Sequence, residues 1–390
     1  MDPRRNPFAP GAGTPPPELA GRDALRERVA VTLDRIRAGR AAQSVILYGL
    51  RGVGKTVLLA AMRRDAEAHG LTVISIEAPE GRSLPAVLAP ALRAALLRLD
   101  RLKGAGDKVS RALAALAGFV KLKATYGDLA IAIEHDSEPG LADSGDLEAD
   151  LTDLVRALGE AAAERGTAAV LFVDELQYVP EEQLAALIVA LHAASQNQLP
   201  VTLIGAGLPQ LLGQMGRAKS YAERLFAFEM IGALDLAAAD AALRHPIEQQ
   251  GERIQPAAVA AIHAATEGYA YFLQEWGKQS WDVAEHSPIT IADVETAQTS
   301  ALAQLDQSFF RVRLDRLSPS EKRYVLAMAQ LGPGPQRSGE IAQAMGVKVT
   351  TVAPIRSSLI TKGMVYSPGH GDTAFTVPMF DAYIRRTMIG

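Results

Sequence analysis

One eight-residue segment constrains the fold of this chain more than any other feature. Residues 49–56 read Gly-Leu-Arg-Gly-Val-Gly-Lys-Thr and fit the pattern G-x-x-x-x-G-K-[ST]. The apolar run 44–48 before it predicts a short buried strand, and apolar residues recur at helical spacing over 57–68. A glycine loop between a strand and a helix is the setting of a phosphate-binding loop, or P-loop. We therefore expect an α/β domain built around it.

The residue types of the P-loop suit the phosphates of a nucleotide. Glycines let the backbone curl so that its N–H groups approach the anion, and the following helix adds its positive dipole end. We expect Lys55 to reach the β- and γ-phosphates and Thr56 to offer its hydroxyl to Mg²⁺. A glycine-rich loop that merely precedes a helix is the alternative. The predicted nucleotide-binding residues are Gly49, Leu50, Arg51, Gly52, Val53, Gly54, Lys55, Thr56 and Val57.

A second segment points to the same site. Residues 170–173 are apolar and are followed by two acids, Asp174 and Glu175. Two carboxylates at the end of a buried parallel strand lie at the sheet edge where ligands bind. We expect Asp174 to hold Mg²⁺ and Glu175 to polarise the attacking water as a general base. An acidic pair that only ends a strand at the surface is the alternative. Together the two segments predict binding and hydrolysis of Mg·ATP.

The chain divides into several predicted parts. Further apolar strands at 71–77 and 201–204 alternate with helices, which is typical of a parallel α/β sheet. The predicted domains are a flexible Pro-rich tail over 1–17, an ATPase core over 18–232 with an insertion at about 100–145, an all-α lid over 233–304 and a winged helix domain over 305–390.

Composition excludes several classes of function. The 390 residues have a net charge of −4 and no cysteine, which excludes disulfides and Cys-based metal sites. The seven histidines show no spacing typical of a zinc site. No run of about 18 apolar residues predicts a transmembrane helix, and the N-terminus lacks an apolar signal core. We therefore expect a cytoplasmic protein that does not contact a membrane.

Four stretches together resemble the AAA+ and STAND superclass of P-loop ATPases, and in particular its replication-initiator-like branch with a C-terminal winged helix. They are 19–23 (Leu-Ala-Gly-Arg-Asp), the P-loop, the acidic pair 174–175, and 220–226 (Ser-Tyr-Ala-Glu-Arg-Leu-Phe). The resemblance implies ATP and Mg²⁺ as cofactors. It also implies that Gly21 and Arg22 help to line the adenine pocket.

By the same resemblance, Arg224 is the arginine finger, which acts in trans on the site of a neighbouring subunit in a homo-oligomer. Arg217 is a second candidate, and a surface Arg paired with an acid such as Glu223 is the alternative. Two features depart from the family. The strand end 204–207 lacks a polar sensor side chain, and no sensor arginine is evident in the lid. We therefore expect slow hydrolysis and a role as a conformational switch.

The C-terminal part predicts a winged helix-turn-helix over 318–378. The predicted elements are helices at 319–331, 339–347 and 350–361, followed by a hairpin of 364–366 and 374–377 with its tip at 369–372. Ser318 is the expected cap of the first helix, and Gly363 ends the third. The third helix is the predicted recognition helix, which in this motif lies in the DNA major groove.

Charge favours a nucleic-acid partner for this domain. From residue 315 onwards there are nine Lys and Arg against five Asp and Glu, a net charge of +4. We expect Lys348, Arg356 and Lys362 to contact duplex DNA. The leading hypothesis is an ATPase whose nucleotide state controls a DNA-binding domain. The alternatives are a STAND-like signalling switch, whose winged helix packs on the ATPase core and whose partner is a protein, and a purely structural ATP binder.

Overall fold

A computed structural model describes residues 1–11, 13–78, 80–101, 107–124, 137–369 and 371–388. The predicted loop at 136–145 is partly included, whereas a strand predicted at 128–134 lies outside the described residues. Among the described residues, no helix combines the length and apolar character needed to cross a lipid bilayer.

The helices and strands have the following bounds. The helices are α1 (Asp23–Arg37), α2 (Lys55–Ala68), α3 (Leu84–Arg101), α4 (Asp107–Ala124), α5 (Leu147–Glu164), α6 (Glu181–Gln196), α7 (Leu211–Ala218), α8 (Ala222–Leu225), α9 (Leu236–Gln249), α10 (Pro256–Thr266), α11 (Ala270–Val283), α12 (Ile291–Gln304), α13 (Arg311–Asp315), α14 (Pro319–Leu331), α15 (Ser338–Ala344), α16 (Val349–Thr361) and α17 (Phe380–Met388). The strands are β1 (Ser44–Tyr48), β2 (Thr72–Glu77), β3 (Ala169–Asp174), β4 (Val201–Gly207), β5 (Phe226–Met230), β6 (Gln336–Arg337), β7 (Val365–Tyr366) and β8 (Asp372–Phe375).

Five parallel strands form the central sheet in the order β2-β3-β4-β1-β5. The α/β class predicted from the sequence is confirmed. The apolar strands β1, β3 and β4 occupy the middle and are almost wholly buried, as expected for parallel strands covered on both faces. The sequence analysis did not predict β5, because an edge strand with half-exposed residues gives a weaker apolar signal.

Helix α4 lies within the predicted insertion at about 100–145 and belongs to the core. Its residues Val109, Leu113 and Phe119 are buried in the same apolar cluster as Leu171 of the central sheet. The helix packs between α3 and α5, so this face of the sheet is covered by two layers of helices.

The first eight residues, which the sequence assigns to a predicted flexible tail, contact the lid in this structure. The carbonyl oxygen of Asp2 accepts a hydrogen bond of 3.0 Å from Nε1 of Trp281. Nδ2 of Asn6 donates to the carbonyl oxygen of Lys278 at 3.0 Å and to Oδ1 of Asp282 at 2.8 Å. Phe8 is buried against α11. One buried aromatic ring and these hydrogen bonds hold a stretch whose composition favours disorder.

A continuous helical segment joins the lid to the C-terminal domain. The lid comprises α9 to α12, and α12 runs through a π-helical stretch, Leu305–Phe310, directly into α13. The predicted domain boundary at 305 therefore falls inside helical structure. Among the described residues, no loop separates α12 from α13.

The C-terminal domain contains α14 to α17 and a small antiparallel sheet with the order β6-β8-β7. The three predicted helices and the hairpin occur in the predicted order, and Ser318 caps α14 through a capping box with Glu321. The added helix α17 packs on α14 and was not predicted. Gly363 has a φ of 63° just after α16, which suits the glycine expected there.

Candidate nucleotide-binding site

The P-loop joins β1 to α2, with Gly54 at φ 93° immediately before the helix. Lys55 points back along the loop, and its Nζ donates to the carbonyl oxygens of Gly49 at 3.0 Å and Leu50 at 2.8 Å. Burial lowers the pKa of Lys55 to about 8, although the nearby carboxylates of Glu175 and Asp174 oppose this shift. A buried cation whose charge is only partly balanced is suited to an anionic ligand.

Asp174 ends β3 and lies beside the start of α2. Its carboxylate accepts hydrogen bonds from the Thr56 hydroxyl and from the backbone N–H of Glu175, the latter at 2.8 Å. Burial raises the pKa of Asp174, and these two hydrogen bonds partly offset the effect. A hydroxyl and a carboxylate in contact provide the hard oxygen ligands that Mg²⁺ takes in nucleotide sites, so this pair fits that ion.

Gln177 holds Glu175, and the sequence analysis did not identify it. Glu175 has a φ of 54°, and its Oε2 accepts a hydrogen bond from Nε2 of Gln177. Oε1 of Gln177 accepts from the backbone N–H of Leu208 at 3.0 Å. On the other side, Nη1 of Arg51 lies 4.0 Å from Oε1 of Glu175. The carboxylate is thus oriented from two directions.

The glycines at the end of β4 explain why no sensor side chain occurs there. A Cβ added at Gly205 would lie 2.2 Å from Cδ1 of Leu176, and one at Gly207 would lie 2.9 Å from Oε1 of Gln177. The short helical turn after β3 therefore fills the space that a sensor side chain on β4 would need. Gln177 supplies a polar group at this place instead.

A cavity of about 400 Å³ opens from the P-loop, a size within the usual range of small-molecule sites. Lys55, Thr56 and Glu175 lie at one end, and Val57 and Gly52 also line it. The remaining walls come from the lid and from the N-terminal segment. Arg22 lines the cavity, and its Nη2 donates to the carbonyl oxygen of Gly232 at 2.6 Å. Gly21 packs close to the lid, 2.8 Å from Cβ of Ala238 when a Cβ is added.

Arg313 of α13 is a second residue that the sequence analysis missed. It lines the cavity and stacks over the ring of Phe309, with its Cζ 3.7 Å from the centroid. Burial and the nearby charge of Arg51 lower the pKa of Arg313 to about 10. It forms no ion pair within the described part of the chain. No sequence motif marks this arginine, which follows the π-helical stretch Leu305–Phe310.

The two arginine-finger candidates lie outside this cavity. Arg224 is exposed on α8 and directly precedes β5, so it lies at the amino edge of the sheet, opposite the P-loop. It forms no ion pair among the described residues, with Glu223 or any other acid. Arg217 instead pairs with Glu181 at 3.1 Å.

Two of the three predicted DNA contacts are used inside the C-terminal domain. Arg356 donates to Oγ1 of Thr373 at 2.7 Å and to the carbonyl oxygen of Asp372 at 2.8 Å. Lys362 pairs with the buried carboxylate of Glu321 at 2.7 Å. Only Lys348, just before α16, is exposed, and it has no partner among the described residues.

Two family models match the sequence. Residues 18–204 match the AAA ATPase domain, and residues 307–384 match a domain of unknown function, DUF8462. No curated protein matches this chain.

Several solved structures are similar to this chain along most of its length. The Walker-type ATPase PABY2304 of Pyrococcus abyssi has a TM-score of 0.56 at 13% identity, over 94% of this chain and 96% of that chain, which indicates a shared fold. Orc1 of Aeropyrum pernix in complex with DNA has a TM-score of 0.46 at 17% identity, over 95% and 94%. The RuvB Holliday junction branch migration motor of Thermotoga maritima has a TM-score of 0.45 at 14% identity, over 93% and 96%.

Proposed function

Residues 18–204 belong to the AAA ATPase domain family, so the chain is an AAA+ P-loop ATPase, and we propose that its bound nucleotide controls the docking of the C-terminal domain. In this proposal the P-loop binds the phosphates of ATP. Thr56 and Asp174 hold Mg²⁺, which neutralises phosphate charge when bound. Glu175, held by Gln177, positions the attacking water.

A direct contact between the P-loop and the C-terminal domain carries the proposal. The backbone N–H of Arg51 donates to the carbonyl oxygen of Thr376 at 3.1 Å, and its Nε donates to that of Gly363 at 3.3 Å. Close by, Nε2 of Gln210 donates to the carbonyl oxygen of Ile360 at 3.4 Å. These bonds join the ATPase core to the C-terminal domain. A change in the conformation of the P-loop therefore acts on the interface between the two domains.

Arg51 also reaches the catalytic side of the site. Its Nη2 donates to the hydroxyl of Tyr178 at 2.6 Å, and its guanidinium faces Glu175. One side chain therefore contacts both the acidic end of the site and the C-terminal domain. A γ-phosphate arriving near Arg51 competes with these contacts, since guanidinium groups bind phosphate strongly.

Arg313 provides a second connection between the cavity and the C-terminal domain. It lies on α13 and lines the cavity. Arg316, the residue directly after this helix, pairs with Glu80 of the ATPase core at 2.9 Å. We propose that Arg313 leaves Phe309 to contact a terminal phosphate and that α13 moves with it. This arrangement favours the switch in which the C-terminal domain packs on the core over a motor that turns over ATP rapidly.

Gly363→Asn tests the docking. The new side chain enters the space where an added Cβ would lie 2.6 Å from Nη2 of Arg51, while asparagine tolerates the positive φ. We expect the variant to have a larger radius of gyration in solution scattering without nucleotide. The wild-type chain should expand only when ATP replaces ADP.

Gly346→Asn is the matched control, because Gly346 has a φ of 67° and open space around its Cβ position. It should scatter like the wild type in both nucleotide states. The same radius of gyration for wild type with ATP, with ADP and without nucleotide would contradict the switch.

DNA binding is the second candidate function, and one observation supports it. The first turn of α16 and the adjacent Lys348 face solvent while the domain is docked. We expect Lys348→Glu to weaken a gel shift on duplex DNA and to reduce its salt dependence, whereas Arg40→Glu, an exposed residue on the core, should not. If neither wild-type chain nor variant shifts DNA at low salt, the partner is not DNA.

A further inference from the structure

The continuous helix between the lid and the C-terminal domain contains one irregular turn. The stretch Leu305–Phe310 (the π turn) is π-helical, whereas α12 before it and α13 after it are α-helical. A π-helix closes i→i+5 hydrogen bonds and therefore takes up more residues per turn than an α-helix, which closes i→i+4 bonds. The π turn thus contains about one residue more than α-helical backbone needs at this place. Such turns are rare and occur frequently at functional sites.

Two adjacent side chains of the π turn pack on different parts of the molecule. Phe309 stacks on Tyr271 of the lid, with ring centroids 4.8 Å apart. Phe310 stacks on Tyr383 of α17 in the C-terminal domain, with ring centroids 5.2 Å apart. Phe272 of the lid lies edge-on to both rings of the turn, at 5.7 Å and 6.0 Å. The packing of the lid and the packing of the C-terminal domain therefore meet at the π turn.

The π turn is also connected to the nucleotide site. Ser308 and Phe309 line the cavity, as does Arg313 further along the helix. The backbone N–H of Tyr271, whose ring stacks on Phe309, donates to the carbonyl oxygen of Gly52 in the P-loop at 3.1 Å. A ligand in the cavity thus lies beside the π turn and beside the lid residue that packs on it.

A change of register in this turn has a large and defined effect. Each residue of an α-helix turns the chain by about 100° and advances it by about 1.5 Å. If the π turn becomes α-helical while the lid stays on the core, α13 and the domain after it rotate by about 100° around the helix axis. A rotation of this size separates Gly363 from Arg51. The backbone groups of the turn are hydrogen-bonded in either form, so the two forms differ in packing and not in broken hydrogen bonds.

We propose that the π turn is the hinge of the switch. It is π-helical while the C-terminal domain is docked, and it becomes α-helical when ATP fills the cavity. ATP favours the second form through the phosphate contact proposed for Arg313, since a ligand shifts an equilibrium only by binding the two forms unequally. The inference rests on the proposed control of docking by the nucleotide and adds the element that changes its conformation.

Deletion of Gln307 tests the hinge. Gln307 is exposed within the π turn, and without it residues 291–315 form an uninterrupted α-helix that leaves α13 in its docked orientation. We expect the deletion variant to keep the same compact radius of gyration with ADP and with ATP, whereas the wild type expands with ATP. Gln307→Ala is the matched control, because it shortens the same side chain without changing the number of residues. It should expand with ATP as the wild type does.

A distance measured across the hinge separates this inference from the control of docking. The chain has no cysteine, so Thr299→Cys on α12 and Gln343→Cys on α15, both at exposed positions, provide the only two sites for spin labels. In an otherwise wild-type chain, we expect the mean distance between the labels to shift when ATP replaces ADP. In the chain without Gln307 it should stay at its ADP value.

The results distinguish failure of the hinge from failure of the switch. The hinge is wrong if ATP expands the wild-type chain without a change in the label distance, or if the deletion variant expands as the wild type does. The control of docking survives either of these results. If neither the radius of gyration nor the distance responds to ATP in the wild type, the control of docking fails and the hinge fails with it. Should the deletion unfold the chain, the distance in the otherwise wild-type chain decides alone.

Discussion

At the scale of single residues, the charge of Lys55 depends on what fills the cavity. Its ammonium donates to the carbonyl oxygens of Gly49 and Leu50, and burial lowers its pKa to about 8. Triphosphate oxygens near Lys55 favour the charged form and raise this pKa. Nucleotide binding above pH 8 therefore takes up a proton.

This coupling predicts that nucleotide affinity depends on pH in one direction. The affinity should weaken as the pH rises through 8, by about tenfold at pH 9, because the free site then has to be protonated before it binds. Calorimetric titrations at pH 8.5 in two buffers of different ionisation enthalpy measure the proton uptake. Identical binding enthalpies in the two buffers would contradict the assigned state of Lys55.

At the scale of elements, the capping box of α14 ties three parts of the C-terminal domain together. The buried Glu321 accepts from the backbone N–H of Ser318, from the Ser358 hydroxyl and from Lys362. Burial raises the pKa of Glu321, but the hydrogen bonds, first among them that of Lys362, outweigh it and bring the pKa to about 2. Lys362, which the sequence predicted to contact DNA, thus helps to stabilise the start of α14.

We predict that Glu321→Gln lowers the free energy of unfolding by about 1–3 kcal/mol at pH 7. The folded pKa lies below the unfolded value of 4.5, so this contribution is present above pH 4.5 and is lost as the pH falls through about 2. Urea unfolding of the full chain at pH 7 and pH 3 measures the difference. The exposed Glu295→Gln on α12 should change stability by less than about 0.5 kcal/mol, and an equal effect of both variants would refute the assignment.

At the scale of the whole molecule, Arg224 and the P-loop lie at opposite edges of the central sheet. A residue so placed reaches the active site of another subunit only in a head-to-tail contact, which closes into a ring or extends as a filament. The exposed and unpaired state of Arg224 in the single chain is compatible with such a role.

A trans-acting Arg224 predicts complementation between two inactive variants. Arg224→Ala and Glu175→Gln should each bind ATP and hydrolyse it at least a hundredfold more slowly than the wild type. Their equimolar mixture should recover about a quarter of the wild-type turnover, because half of the sites keep Glu175 and half of the neighbours keep Arg224. A mixture no more active than its components would exclude the role in trans.

The sequence alone predicted the phosphate-binding segment, the acidic strand end and the parallel α/β class. These features are local, since a P-loop is made by the backbone of contiguous residues and a buried strand by a short apolar run. The AAA ATPase family match confirms the class of ATPase that these motifs indicated. The order of the C-terminal helices also followed from local signals, such as the cap at Ser318 and Gly363 after α16.

Tertiary structure alone decided how these parts are used. The Arg51–Gly363 hydrogen bond joins residues 312 positions apart, and no local pattern encodes such a pairing. The same holds for the docked N-terminal segment and for the hydrogen bond from the backbone N–H of Leu208 to Gln177. Arg356 and Lys362 carry the charge expected of DNA contacts, yet nearby oxygens within the domain already bind them. Local chemistry therefore determined the residues of the candidate nucleotide site, while long-range packing decided which surfaces contact it.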